Sequence, residues 1–197
     1  MNNYVYIISS LPVISQEWKG SADVSEKLIS EIKGLLSKED CKLVDFLMDS
    51  FDGDKLTEDF YRTAFSHKNK FIREYLRFDM NMRNAKVRYL NKALGRPADM
   101  DVMALDGGIF EEEAKMNEAL AQKDILTREK AIDDLVWSKI EQITLQDYLD
   151  MKVILAFIAK LHIVDRWFKL DPQKGQEMFK SLVEEVRKPF EGLKNYE

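Results

Sequence analysis

The 197-residue sequence predicts an all-α protein, a multi-helix bundle within one domain. Three observations lead to this prediction. The chain has only 8 glycines and 4 prolines, too few for the many tight turns of a β-sandwich or barrel. From residue 24 onward, apolar residues recur at the three- and four-residue spacing of amphipathic helices. Hydrophobic residues make up 45% of the chain, which is enough for a substantial core.

The N-terminal run 4–8 is the exception to the helical pattern. It is rich in β-branched and aromatic residues, and Pro12 disfavours helical geometry at Leu11. We therefore expect a short N-terminal extended segment. Because one strand cannot form a sheet alone, this segment should pack on helices or pair with a partner.

Helices are predicted in order at 24–36, 41–48, 57–93 with an interruption near 66–69, about 110–123, about 127–142, 144–168 and about 173–188. Thr57 is a suitable N-cap, Gly95 and Pro97 end the third tract, and Gly107 with Gly108 marks a further break. In the tract 144–168 the apolar stripe contains Tyr148, Met151, Leu155, Ile158 and Leu161.

Two of these tracts, 68–94 and 145–169, are similar in length, and each precedes a Gly/Pro signal and a shorter helix. This similarity suggests two related helical units. We accordingly expect a single helical domain over 1–197, with sub-lobes at 1–97 and 98–197.

Charge is strongly segregated along the chain. Residues 62–96, which we call the basic segment, contain 10 Lys/Arg and 2 Asp/Glu. Residues 1–61 contain 6 and 12, and residues 98–134 contain 4 and 11. Two interpretations follow: the acidic stretches fold back and partly neutralise the basic segment, or part of the basic segment meets an acidic partner.

The sequence contains no recognisable motif for catalysis or metal binding. Its only histidines are His67 and His162, and neither has the preceding glutamate that helical metal sites use. His162 lies between apolar neighbours and is expected in the core or at its boundary. No phosphate-binding loop and no nucleophile elbow occurs. We expect no catalytic residue, cofactor, metal or small-molecule substrate.

Features of secreted and membrane proteins are equally absent from the pattern. The single cysteine, Cys41, cannot form an internal disulfide. The N-terminal apolar run is too short for a signal peptide, and no stretch resembles a membrane span. The sequence therefore predicts a cytoplasmic protein.

The most distinctive stretch is 71–96, a long helical tract with an aromatic and methionine stripe, many basic residues and three central polar residues, Asp79, Asn81 and Asn84. Such mid-helix residues either face solvent or are fixed by tertiary hydrogen bonds. The stretch resembles a recurring element of the C subunit (subunit d in eukaryotes) of V/A-type rotary ATPases, all-helical proteins built from repeated helical units. The matching residues are Glu74, Asp79, Asn84, Arg88, Lys92 and Gly95.

The opening residues 4–12 are similar to the start of an uncharacterised bacterial family that accompanies V-type ATPase subunits, and 161–167 with Gly175 are compatible with it. The resemblance implies a non-catalytic connector in the central stalk of an ATP-synthesising or ion-transporting V-type ATPase. It implies that the partners are the rotor shaft and the membrane ring. Contact with the membrane would then be indirect, at the inner face of the plasma membrane.

The helical period also predicts which side chains bind a partner. If Phe71, Tyr75 and Phe78 face the core, the basic residues are forced outward. The expected partner-binding residues are Arg73, Arg77, Arg83, Lys86, Arg88 and Arg96.

The alternative is a helical protein that binds nucleic acid, or another protein, through residues 62–96. Tyr75, Phe78 and Tyr89 would then stack on bases between the cations. The net charge of −5 disfavours nucleic acid, because an acidic chain repels the phosphate backbone.

Overall fold

The computed structural model describes residues 4–16 and 22–169, and within these ranges the chain is all-helical and contains no strand. A multi-helix bundle is therefore confirmed. The α-helices of the described chain are α1 (Tyr4–Ser10), α2 (Ala22–Leu35), α3 (Lys38–Asp49), α4 (Glu58–Phe65), α5 (Lys70–Ala93), α6 (Glu113–Leu120), α7 (Ile125–Thr144) and α8 (Met151–Lys169). The helix predicted at 173–188 lies outside the described residues.

Two long helices, α5 and α8, lie at the centre of the bundle. Helix α5 packs against α4, α6, α7 and α8, and α8 also packs against α1, α2 and α3. Many of their apolar residues are fully buried, among them Phe71, Ile72, Leu76, Ile154, Leu155, Ile158 and Leu161. The first three helices therefore share one core with the second half of the described chain. No helix in the described ranges is both long and apolar enough to cross a lipid bilayer.

Side-chain caps set the starts of several helices. Ser37, Thr57, Asn69 and Asp124 each accept a hydrogen bond from the backbone N–H three residues on, which satisfies a donor that has no partner within the helix. The predicted Thr57 cap is confirmed. The predicted interruption at 66–69 is also confirmed, since α4 ends at Phe65 and Asn69 caps α5.

The prediction of an extended N-terminal segment is wrong, because Tyr4–Ser10 is a helix. Helical spacing lets Tyr4, Ile7 and Ile8 pack on the core together, and Ile7 is only 1% exposed. The Tyr4 hydroxyl donates to Asp40 Oδ1 at 3.0 Å. These contacts override the β-propensity of the side chains, which is a weak preference that depends on context.

The start of α8 also differs from the sequence prediction. The helix begins at Met151 instead of residue 144, and α7 extends to Thr144. Tyr148, predicted on the apolar stripe, lies in the intervening turn and is 76% exposed. Lys152 pairs with Asp147 at 2.5 Å and with Asp150 at 3.2 Å, so the turn is stabilised by ion pairs at the first residues of α8.

The long connection between α5 and α6 is bound to α5 by three asparagine side chains. Asn84 forms a reciprocal pair with Met103: its amide donates to the Met103 carbonyl at 3.1 Å, and its carbonyl accepts from the Met103 N–H at 3.0 Å. Asn91 donates to the carbonyls of Ala98 and Met100, and Asn81 donates to that of Gly107. A Cβ atom at Gly107 would overlap the Asn81 side chain, so the close approach requires glycine. Of the two alternatives for these mid-helix residues, exposure to solvent or tertiary hydrogen bonds, the structure shows tertiary hydrogen bonds for Asn81 and Asn84.

Replacing Asn84 by alanine should detach the middle of this connection. We expect a loss of about 1–3 kcal/mol in the free energy of unfolding, because the Met103 backbone loses both partners. Urea denaturation measures this loss. Endoproteinase Asp-N should also cut faster in the native state at the exposed Asp99, Asp101 and Asp106.

The control is Asn117→Ala, at an exposed position on α6, which should change stability by no more than about 0.5 kcal/mol. Equal stability and equal proteolysis of the two variants would contradict the structural role of Asn84.

Candidate functional site

The six predicted partner-binding residues lie on two sides of α5 and in the turn that follows it. At about 100° per helical residue, Arg73, Arg77 and Arg88 lie within about 60° of one another, whereas Arg83 and Lys86 lie about 80–180° away from them. Four of the six, Arg77, Arg83, Arg88 and Arg96, are exposed, and Arg73 and Lys86 are half-buried. The structure thus divides these cations between two surfaces.

Several of these cations have partners within the chain. Arg83 Nε donates to Asp79 Oδ2 at 2.8 Å, one helical turn away. Arg88 Nε donates to Asp99 Oδ1 at 2.8 Å, so the acidic stretch after α5 does fold back onto the basic segment at this point. Arg77 lies over the ring of Phe65, 5.4 Å from its centroid. Neutralisation within the chain is therefore partial.

Arg73 has a structural role at the corner between α4 and α5. Its guanidinium donates to the backbone carbonyls of His67 and Lys68 at 2.7 and 2.8 Å. The His67 Nδ1 atom accepts from the Asn69 N–H at 2.9 Å, and the ring stacks on Phe46. Partial burial, together with the charge of Arg73, lowers the pKa of His67. The corner therefore contains a neutral imidazole that acts as a hydrogen-bond acceptor.

The aromatic residues of the basic segment face the core. Tyr75 and Phe78 are 7% and 3% exposed, and Tyr89 is half-buried against the core. Tyr75 and Phe78 are thus unavailable as stacking platforms for bases, which removes the main structural feature of the nucleic-acid alternative.

A polar cleft of about 280 Å³ lies between α5, α7 and α8, and we call it the central cleft. Its walls include apolar side chains such as Met82, Ile132 and Val136. Its charged and titratable lining residues are Tyr75, Asp79, Arg83, Lys86, Asp133, His162 and Arg166. Two of the predicted basic residues, Arg83 and Lys86, therefore belong to a concave surface.

On the α5 side of the central cleft, Asp79 organises two other side chains. Its Oδ2 atom accepts from the Tyr61 hydroxyl at 2.6 Å as well as from Arg83. Tyr61 is 1% exposed, and burial, together with the charge of Asp79, raises the pKa of its hydroxyl. The phenol therefore stays protonated and donates to Asp79, which binds α4 to α5.

On the α7 and α8 side, Asp133 has the corresponding role. It is 4% exposed and accepts from the Arg166 guanidinium through Oδ1 and from Trp167 Nε1 through Oδ2 at 2.6 Å. Burial raises its pKa, while the charge of Arg166 and the Trp167 hydrogen bond act in the opposite direction. Glu129 lies 3.8 Å from Arg166. The carboxylate thus links α7 to the end of α8.

Two other lining residues, His162 and Lys86, do not belong to these aspartate–arginine pairs. His162 stacks on Phe51 with ring centroids 3.9 Å apart and planes 5° from parallel, so the predicted position at the core boundary is observed. Lys86 is half-buried and forms no ion pair with any described residue. The central cleft therefore presents the hydrogen-bond donors of three cationic side chains. Its two carboxylates already accept hydrogen bonds from neighbouring side chains. In the described ranges, no three His, Cys, Asp or Glu side chains gather closely enough to bind a metal ion.

The sequence did not predict Asp133 and Arg166 as members of a site. A signal was present, because Asp133 lies within the apolar stripe Ile132, Val136 and Ile140 of α7. A carboxylate in such a stripe must find a partner, since burying an unpaired charge is costly. The identity of that partner depends on which helix packs there, which the local pattern does not contain.

Residues 107–189 match the model of a family described as Protein of unknown function (DUF2764), which is less than half of the 197 residues. The match includes α6, α7 and α8 with Asp133, His162 and Arg166, and it begins after the basic segment. No curated protein and no solved structure matches the chain.

The neutral His67 gives a prediction about pH. Its native pKa is lowered, so this residue stabilises the fold above about pH 6.5, and the contribution is lost as the pH falls through the native pKa. Urea unfolding between about pH 7.5 and pH 5 should show a smaller loss of stability for His67→Asn than for the wild type, because asparagine offers an acceptor that does not titrate.

The matched control is His162→Asn, which removes the other histidine and should leave the His67 contribution in place. An identical pH dependence of the wild type and His67→Asn would refute the assignment.

Proposed function

We propose that this chain is a non-catalytic structural subunit of a V/A-type ATPase, a connector in the central stalk between the rotor shaft and the membrane ring. Its partners would be other V-type ATPase subunits involved in ion transport and ATP synthesis. It would lie in the cytoplasm, at the inner face of the membrane, and reach the membrane only through the complex.

The main support for this proposal is that three of the residues that match the C subunit family, Asp79, Asn84 and Arg88, form structural contacts within this chain. Asp79 bonds Tyr61 and Arg83, Asn84 bonds Met103, and Arg88 bonds Asp99. Each of these contacts fixes a neighbouring segment to α5 or stabilises α5 itself. Rigid attachment of segments to a central helix suits a subunit whose function is to transmit force and position.

The remaining exposed cations support a role in association. Arg77 and Arg96 are exposed, and neither forms an ion pair with a described residue. Isolated surface charges contribute little to folding, whereas charges on an interface steer encounter with an oppositely charged partner. An acidic surface on the shaft or the ring is the partner chemistry that these residues fit.

Charge reversal at these positions tests the proposal. A tagged double variant, Arg77→Glu with Arg96→Glu, should recover less of the V-type ATPase than the wild-type chain does, and the difference should shrink at high salt. The measurement is quantitative mass spectrometry of proteins that co-purify at low and high salt. Thermal unfolding should change little, since Arg77 loses only a cation–π contact worth about 0.5–1 kcal/mol.

The matched control is Lys115→Glu with Lys123→Glu, which makes the same charge change at exposed positions outside the basic segment. This control should recover the complex as the wild type does. Failure of the wild-type chain to recover any ATPase subunit would refute the proposal. Recovery of nuclease-sensitive nucleic acid in its place would favour the alternative.

A further inference from the structure

We propose that the central cleft is a binding site for the phosphate group of a small molecule. This inference concerns a regulatory or structural ligand and does not depend on the connector role. It follows from the way the carboxylates and cations of the cleft are paired.

The two carboxylates that line the central cleft are already bonded. Asp79 accepts from Arg83 and Tyr61, and Asp133 accepts from Arg166 and Trp167. Three cationic side chains, those of Arg83, Lys86 and Arg166, line the cleft together with these two carboxylates. Among the lining residues, the three cations outnumber the two carboxylates. Glu129, outside the lining, lies 3.8 Å from Arg166, and Lys86 is the cation that pairs with no described carboxylate.

The two arginines retain N–H donors that form no hydrogen bond with a described residue. A guanidinium has five N–H donors, and Arg83 uses its Nε on Asp79, while one terminal nitrogen of Arg166 faces Asp133 and Glu129. Their side chains are 46% and 43% exposed, so a ligand from solvent can reach them. Because each guanidinium is already oriented by its aspartate, binding costs less side-chain entropy.

The size and walls of the cleft fit this ligand class. About 280 Å³ is near the lower end of small-molecule pockets, which favours a small group over an extended polymer. Planar guanidinium groups match phosphate oxygens, and a lysine adds a point charge. Phe51 and His162, whose rings stack on each other, also line the cleft, and the organic part of a phosphate ester can pack against them.

Titration of the full-length wild-type chain with sodium phosphate, AMP and ATP tests the proposal, with sodium chloride at equal ionic strength as the reference. Isothermal calorimetry and thermal unfolding should show saturable binding. Binding of inorganic phosphate would identify the phosphate group alone as sufficient. Binding of AMP or ATP only would show that the site takes a phosphate ester, which also supports the proposal.

Substitution of Lys86 locates the site. Lys86→Gln should weaken binding by about tenfold or more, the size of one lost charged hydrogen bond. Lys86→Arg, which keeps the charge, should retain binding even if the glutamine variant proves unstable. The control Lys92→Gln, at an exposed position in the last turn of α5, should stay within about twofold of the wild type.

Two results would overturn the inference. One is the absence of a saturable response of the wild type to phosphate, AMP and ATP beyond that to sodium chloride. The other is equal affinity of the Lys86→Gln and Lys92→Gln variants, which would locate the bound anion outside the central cleft.

Discussion

The side-chain amide of Asn84 is the constraint on which the arrangement around α5 depends. It is buried in the middle of a helix whose backbone groups already bond one another, so its donor and acceptor must find partners outside the helix. The Met103 backbone supplies both. This pairing sets the path of a connection that contains no helix between residues 94 and 112, and Asn81 and Asn91 extend the contact toward both ends.

The same requirement produces the central cleft on the other side of α5. Asp79 accepts from the buried Tyr61 and Asp133 from the half-buried Trp167, and each also accepts from an arginine. Both carboxylates accept hydrogen bonds in these contacts. The partly exposed guanidinium groups have further N–H donors that no described residue uses. A network that satisfies buried polar groups thus leaves a positively charged concave surface. The fold and the chemistry of the cleft have one physical origin.

The basic segment is likewise divided between folding and surface charge. Arg73 completes the corner between α4 and α5, Arg83 pairs with Asp79, and Arg88 pairs with Asp99. Arg77 and Arg96 remain exposed and form no ion pair with a described residue. Exposed ion pairs contribute little to stability, so the charge segregation of the chain contributes little to folding. In the connector proposal Arg77 and Arg96 contact the partner, and in the phosphate proposal Arg83 and Lys86 bind the ligand in the central cleft.

Several features of this protein follow from its sequence alone. Apolar spacing and few turn residues determined the all-α class. Capping chemistry located the start of α4 at Thr57, and a break in the helical pattern at 66–69 located the interruption before α5. Local patterns have these consequences because helix periodicity and caps involve residues within one or two turns. The tertiary structure decided the rest: the helical state of Tyr4–Ser10, the burial of Asn84, and the meeting of Asp133 with Arg166 and of Lys86 with the same cleft. Each depends on a contact between segments distant in the chain, and buried polar groups acquire their partners only when those segments pack together.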